Sequence, residues 1–282
     1  MHILVFFSLC ILILIRLIGL GVSTDFYLSG RTARFKFQIL GWISWLVAGI
    51  FPILSENTKD MFLSNLFLVI NAIFASFGAF FFMIGFSLYF RQISVRVAGF
   101  FSLIILIIPS LLSLLNQFDL AISFSSIVFS FLLLYLILFW LLEREKFSQI
   151  LIRSKNWFYA LLGSAILELM IILLISFQGL SYGLYQTDNL MMIFLNYSVG
   201  IGLTILLMVF LIHLEFSLSY RHRYELKDKY SHNVANIIQM IYSTTELVRK
   251  TDSLSVEDLS NLDTITQKCE TASDLIEEIR RL

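Results

Sequence analysis

The chain has 282 residues, of which 58% are hydrophobic and 14% are charged, with equal numbers of basic and acidic side chains. Soluble globular domains are about 45–50% apolar and about 25% charged, so this composition excludes an ordinary soluble protein and indicates a membrane protein. Nucleic-acid binding is not expected either, because the sequence has no basic stripe with interleaved aromatic residues.

The two cysteines give no sign of a disulfide or a metal site. Cys10 falls in an apolar segment and Cys269 in the polar tail, so the two side chains are expected in different environments. Nor do His, Cys and acidic residues recur at the spacing of metal ligands. The sequence therefore predicts no metal centre.

Seven segments are long and apolar enough to cross a membrane, which takes about 20 residues in a helix because the bilayer core offers backbone groups no partners. The predicted spans are 3–21, 37–54, 62–90, 97–115, 120–142, 157–177 and 190–216. The sequence thus predicts an all-α membrane protein. Residues 1–216 are expected to form a seven-helix transmembrane region, and a polar tail covers 217–282.

The orientation follows from the distribution of lysine and arginine between the loops. Basic residues recur after the first, third and fifth spans, whereas the loops after the second, fourth and sixth hold only Lys59. Cytoplasmic loops carry the excess of positive charge. We therefore expect a multi-pass protein of the cell membrane, in contact with lipid, with its N-terminus outside and its tail in the cytoplasm. The longest outer loop, 178–189, is a candidate for part of a stimulus site.

Aromatic residues near the predicted span ends are candidates for interfacial belts, because amphipathic rings suit the headgroup region. They are otherwise ordinary lipid-facing side chains. The candidates are Trp42, Trp45, Trp140, Trp157, Tyr182 and Tyr185.

Glu168 falls near the middle of the sixth span, where a carboxylate costs about 2.5–3.5 kcal/mol on insertion scales. We therefore expect it to face the bundle interior, either protonated or paired. Candidate partners are Asn71, Asn196 and Arg16. The side chain either makes a packing hydrogen bond between helices or senses a proton or ligand.

The tail begins with a helix that no Pro or Gly interrupts between 217 and 250. Steps of three and four residues separate its apolar positions, as in a coiled coil. This apolar stripe consists of Tyr230, Val234, Ile237, Ile241 and Val248, and Thr244 fills the remaining position. His232 lies off the stripe, on the outward face.

A second amphipathic helix follows a short polar turn at 251–254. Ser255 with Asp258 three residues later resembles a capping box. The apolar positions of this helix again have a three-four spacing, at Leu259, Leu262, Ile265 or Thr266, Cys269, Ala272, Ile276 and Ile279. Such a hairpin leaves apolar surface exposed, and pairing two of them gives a four-helix bundle. The tail therefore predicts a homodimer.

The segment 224–282 resembles the dimerisation and histidine-phosphotransfer module of two-component sensor histidine kinases. The resemblance lies in Ser231-His232-Asn233 with Asn236, in the apolar continuation Ile237, Ile238 and Ile241, and in the closing sequence LIEEIRRL. It implies that His232 accepts the γ-phosphoryl group of ATP and passes it to an aspartate of a response regulator.

Two neighbours of His232 qualify what the resemblance implies. Family members commonly have an acidic residue directly after the histidine, and here Asn233 replaces it. An amide can orient the imidazole but cannot act as a general base. Asn236 matches the position at which the family often has Thr or Asn to place a water for dephosphorylating the regulator.

The family's ATP site belongs to an α/β domain that follows the hairpin, and no part of this sequence resembles a phosphate-binding loop. No cofactor is therefore expected to bind this chain, and ATP would act as donor through a catalytic domain in trans or one missing from the sequence. The chain would be a truncated kinase, a protein phosphorylated in trans, or a scaffold whose histidine is incidental. The alternative class is a non-enzymatic seven-span receptor or transporter that dimerises through a coiled-coil tail.

Overall fold

The computed structural model describes residues 3–30, 32–90, 95–142, 145, 150–151, 154–177, 190–250 and 255–281, and none of these residues lies in a β-strand. The described chain is therefore all-α. Its helices in chain order are α1 (Ile3–Gly30), α2 (Ala33–Asn57), α3 (Met61–Ser87), α4 (Val95–Leu114), α5 (Phe118–Leu142), α6 (Lys155–Phe177), α7 (Leu190–Arg249) and α8 (Val256–Arg281).

Among the described residues, seven helices are long and apolar enough to cross a membrane, and they correspond to α1–α6 and the first part of α7. Each contains one of the spans predicted from the sequence, although the third and fourth predicted spans run slightly past the ends of α3 and α4. Many of their large apolar side chains are exposed, as expected of surfaces that face lipid. The prediction of an all-α fold is confirmed for the described residues, and their seven long apolar helices fit a multi-pass membrane protein.

The closest packing in the first part of the chain joins α2 to α3 through aromatic rings. The ring of Phe82 lies 4.7 Å from that of Trp42 and 4.8 Å from that of Trp45. Trp45 also donates a hydrogen bond from its indole nitrogen to the Ala75 carbonyl oxygen (3.0 Å). A Cβ atom at Gly78 would collide with the Trp45 ring, so the glycine is what lets the ring approach α3.

This packing corrects the interfacial role predicted for two tryptophans. Trp42 is 1% exposed and Trp45 is 7% exposed, so both belong to the core. The indole nitrogen of Trp42 donates to the Ser23 hydroxyl, which satisfies its polar group without water (3.0 Å). Trp157 is exposed, while Tyr182 and Tyr185 lie outside the described residues, as does the Trp140 side chain.

Other clusters connect the remaining helices. Val5, Leu9 and Leu12 of α1 pack with Ile171 of α6 and Tyr197 of α7. Helix α3 also packs against α5 and α4 in two further apolar clusters. Phe86 of α3, Phe158 of α6 and Phe210 of α7 form an aromatic cluster with ring centroids 5.6–5.8 Å apart. These contacts hold together the helices that surround the cavity described below.

The chain divides into two units, Met1–Leu214 and Glu215–Leu282. In the second unit, Arg249 near the end of α7 pairs with Asp263 of α8, with 2.8 Å between guanidinium nitrogen and carboxylate oxygen. The polar turn predicted at 251–254 lies outside the described residues. The pairing of Arg249 with Asp263 is the contact expected of a helical hairpin.

The capping box predicted at the start of α8 is present. Ser255 accepts a hydrogen bond at its hydroxyl from the Asp258 backbone N–H (3.1 Å), and Asp258 accepts from the Ser255 backbone N–H (3.1 Å) and hydroxyl (2.6 Å). Bonds from the side chain and then the backbone of Ser255 hold the pKa of the Asp258 carboxyl below its ordinary value of 3.8. These bonds satisfy donors that a helix N-terminus leaves without an intrahelical partner.

Candidate functional site

His232 lies on the part of α7 that belongs to the second unit, and its side chain is exposed. Asn233 and Asn236 are exposed as well. Because an α-helix has about 3.6 residues per turn, Asn236 follows His232 on the same face, whereas Asn233 is rotated by about 100°. The structure thus brings His232 and Asn236 together on one solvent-facing surface, with Asn233 beside it.

The covered face of α7 in this unit differs from the face that carries His232. Ser231 and Thr245 are buried on α7, two heptads apart, and Cys269 and Ile276 are buried on α8, one heptad apart. The hydroxyl of Thr245 donates to the Ile241 carbonyl oxygen (2.8 Å), so its polar group is satisfied within its own helix. Small and apolar side chains therefore form the interior of the unit.

The apolar stripe of α7 is not covered by any described part of the same chain. Its members are between 41% and 64% exposed, with Ile237 at 52% and Ile241 at 44%. Side chains of this kind contribute to stability only when they leave water. The stripe is therefore an uncovered surface that is apolar except at Thr244, and at about 100° per residue it lies on the side of α7 opposite His232.

A second candidate site is a cavity of about 850 Å³ in the first unit. Residues of α1, α2, α3, α5, α6 and α7 line it, and most of them are apolar. Glu168 and its three candidate partners, Arg16, Asn71 and Asn196, all face this cavity. Four polar groups on four different helices thus meet in one space.

Glu168 is only 9% exposed, and its Oε2 atom is buried without a hydrogen-bond partner among the described residues. None of the predicted partners therefore bonds to this oxygen. Arg16 instead donates to the Trp45 carbonyl oxygen, and its guanidinium carbon lies 5.5 Å from the centroid of the Trp45 ring. A Cβ atom at Gly49 would come within 3.2 Å of the Arg16 Nη1 atom, so this glycine makes room for the guanidinium.

Sequence reasoning missed the hydroxyl groups of the same cavity. Ser123, Ser126 and Ser130 of α5 line it together with Thr204 of α7. The steps of three and four residues between these serines place them on one face of an apolar helix. That spacing in the sequence would have indicated a polar surface inside the bundle.

A polar contact outside both candidate sites joins the start of α6 to α7. The fully buried Ser154, directly before α6, lies with its hydroxyl 3.0 Å from Nδ1 of His213. Ser154 also accepts at its backbone oxygen from the Phe158 N–H (3.0 Å), as an N-cap residue does. The pair is explained by helix capping and packing.

Neither candidate site resembles a metal centre, since the described residues contain no group of three or more His, Cys, Asp and Glu that could hold an ion. The outer loop 178–189 lies outside the described residues. Comparison with models of protein families, with curated proteins and with solved structures finds no match to this chain. Its function is therefore inferred from its own residues and their positions.

Proposed function

We propose that the chain is a membrane sensor of the histidine-kinase type, which couples a stimulus in the seven-span region to phosphotransfer at His232. The observation that carries the proposal is the position of this histidine. It is exposed, shares a helix face with Asn236, and lies on the side of α7 opposite the uncovered apolar stripe. A phosphoacceptor needs such exposure, because both the phosphoryl donor and the response regulator must reach the imidazole nitrogen.

The proposed protein is a homodimer whose tails pair into a four-helix bundle. The uncovered stripe supports this pairing, because a/d-type apolar positions at three-four spacing are the surface that helical bundles bury. His232 lies off the stripe and would stay accessible in the dimer. The basic loops support a cytoplasmic tail in a protein of the cell membrane, with its N-terminus outside.

The proposed signal passes along α7. This helix runs from the seventh span through the tail, and its backbone is helical throughout 217–223. A small shift of the span would then alter the packing around His232. Such transmission requires two competing arrangements of the bundle that the stimulus biases, in addition to a continuous helix.

ATP is the proposed phosphoryl donor, acting through a catalytic domain in trans or one carried by a longer form of the chain. His232 would receive the γ-phosphoryl group, and an aspartate of a response regulator would then take it. Asn236 would place the water that later dephosphorylates the regulator. Asn233 cannot act as a base, so a group of the catalytic domain that binds ATP would have to accept the imidazole proton.

The test supplies ATP and a histidine-kinase catalytic domain to the full chain and follows acid-labile phosphate. Wild type and the matched control His222→Gln, a change at another histidine of α7, should be labelled, whereas His232→Gln should not. A catalytic domain that labels its own histidine substrate serves as the positive control. With that control working, equal labelling of His232→Gln, or no labelling of the wild type, would contradict the proposal.

The position after the histidine gives a second test. Asn233→Asp introduces a carboxylate that can take the imidazole proton, and general-base catalysis contributes about 100-fold or more. We expect faster labelling of His232 in this variant. The control Gln239→Glu adds the same charge two turns along the His232 face and should leave the rate unchanged. An unchanged rate in Asn233→Asp would show that no base acts from this position.

The cavity favours a second candidate function, a non-enzymatic seven-span receptor or transporter that dimerises through its tail. Its volume suits a small molecule, and it lies among helices that can cross a membrane. Uptake of a radiolabelled solute into proteoliposomes distinguishes the two functions. Saturable flux that His232→Gln does not alter would favour the transporter.

A further inference from the structure

The cavity in the first unit has the properties of a ligand site rather than of a packing defect. Its volume of about 850 Å³ falls within the range of about 300–1,000 Å³ typical of small-molecule sites. Its walls are mostly apolar and also carry polar groups that can orient a ligand, as in other sites of this kind.

The carboxyl group of Glu168 has one oxygen without a hydrogen-bond partner. The residue is only 9% exposed and lines the cavity, and its Oε2 atom is buried and unbonded among the described residues. A buried polar group without a hydrogen bond is costly, and a buried charge more so. A ligand that donates hydrogen bonds or carries positive charge at this point would remove the cost.

The hydroxyl groups around the cavity point to the same kind of ligand. Thr204 donates to the Gly200 carbonyl oxygen (2.7 Å), and Ser130 donates to that of Ser126 (2.9 Å). Ser76 likewise donates across helices to the Ser125 carbonyl oxygen (3.0 Å). A hydroxyl has one proton and two lone pairs, so these side chains have only acceptor capacity left. These three hydroxyl groups therefore offer the cavity acceptors only.

The guanidinium of Arg16 is the other charged group among the residues that line the cavity. The guanidinium of Arg16 is held by the Trp45 carbonyl oxygen and lies against the Trp45 ring, both on α2. Tyr197 of α7 and Phe129 of α5 add aromatic faces to the walls. Such faces attract cations, and the attraction grows when the cation is removed from water.

We infer that the cavity binds a small organic cation, whose ammonium group lies against Glu168 and whose apolar body packs among α3, α5 and α7. The proposed site does not depend on phosphotransfer at His232. Under the proposed function this ligand would be the stimulus, but the cavity would bind it even if His232 is not a phosphoacceptor. A binding experiment and a phosphorylation experiment therefore test the two proposals separately.

The test compares three probes of one shape and different charge. Tritiated 4-phenylbutylamine, 4-phenylbutanol and 4-phenylbutanoate are equilibrated with the full chain in lipid nanodiscs, and empty nanodiscs correct for partition into lipid. We expect saturable binding of the amine that is roughly 10- to 100-fold tighter than that of the alcohol, the range for a charge-assisted hydrogen bond. Equal affinity for amine and alcohol, tighter binding of the carboxylate, or no saturable binding would overturn the inference.

Two pairs of variants locate the binding. Glu168→Gln should lower the affinity for the amine to that for the alcohol. Glu56→Gln, the same change at an exposed helix end, should leave the affinity for the amine unchanged. Gly200 lines the cavity, and Gly202 of the same helix does not. A Cβ atom at either glycine would have no other atom within 4 Å.

Gly200→Leu should therefore project a side chain into the cavity without a backbone clash and lower amine affinity roughly tenfold or more, because it takes up space beside the ligand. Gly202→Leu gives the same gain in helix propensity and should bind as wild type. If Glu168→Gln fails to fold, the comparison of Gly200→Leu with Gly202→Leu still tests whether the amine binds in the cavity. Wild-type amine affinity in Gly200→Leu, or in a folded Glu168→Gln, would overturn the site.

Discussion

Replacing two isoleucines of the apolar stripe should separate the proposed dimer into monomers. Complete burial of an isoleucine side chain contributes about 1.5–3 kcal/mol, and Ile237 and Ile241 are 52% and 44% exposed in the single chain. Covering the exposed half of each contributes about 1 kcal/mol. With two side chains from each protomer, Ile237→Ala with Ile241→Ala should cost about 4 kcal/mol, which is roughly a thousandfold in Kd.

Sedimentation equilibrium of the full chain in density-matched detergent measures this change. The control Gln239→Ala removes a side chain of similar length from the His232 face and should leave the dimer intact. A double variant that dimerises as tightly as the wild type would refute the assignment of the stripe as the dimer surface. A wild type that stays monomeric at every accessible concentration would refute the dimer itself.

Two further predictions concern packing and capping. Gly78→Ala places a methyl group into the Trp45 ring and should cost about 1–3 kcal/mol, seen as a lower thermal unfolding temperature, whereas Gly99→Ala meets open space and should not destabilise. Asp258→Asn should speed amide exchange in the first turn of α8, because the carboxylate that accepts from Ser255 is lost. Since the pKa of Asp258 is lowered in the folded state, its contribution is present above pH 3.8 and disappears as the pH falls through the lowered pKa. The difference in exchange between wild type and Asp258→Asn should therefore vanish in acid, and a pH-independent difference would argue against the cap.

The sequence was sufficient for features that depend on one segment of chain. Membrane helices are predictable because each must satisfy its own backbone, so apolar length alone locates them. The capping box at Ser255 and Asp258 is equally local, since its partners are three residues apart. The exposure of the stripe follows from helix periodicity, because two paired helices cover only part of each other's surface.

Features that depend on contacts between helices were not predictable in the same way. Trp42 and Trp45 have the amphipathic rings of interfacial residues, but the small residue Gly78 and the hydroxyl of Ser23 give them places inside the core. The cavity around Glu168 is a space between six helices, and no single segment encodes it. Sequence reasoning proposed Arg16 as a possible partner of Glu168 but could not show that Trp45 engages the guanidinium.

The measurement that tests the proposed function most directly is the localisation of phosphate by mass spectrometry at neutral or alkaline pH, where phosphohistidine survives. The full chain in membranes is incubated with ATP and an active histidine-kinase catalytic domain, and then with a response regulator. We predict phosphate on His232 that afterwards leaves this residue and appears on the aspartate of the regulator. An unmodified His232, while the catalytic domain phosphorylates its own histidine substrate, would contradict the role proposed for this residue.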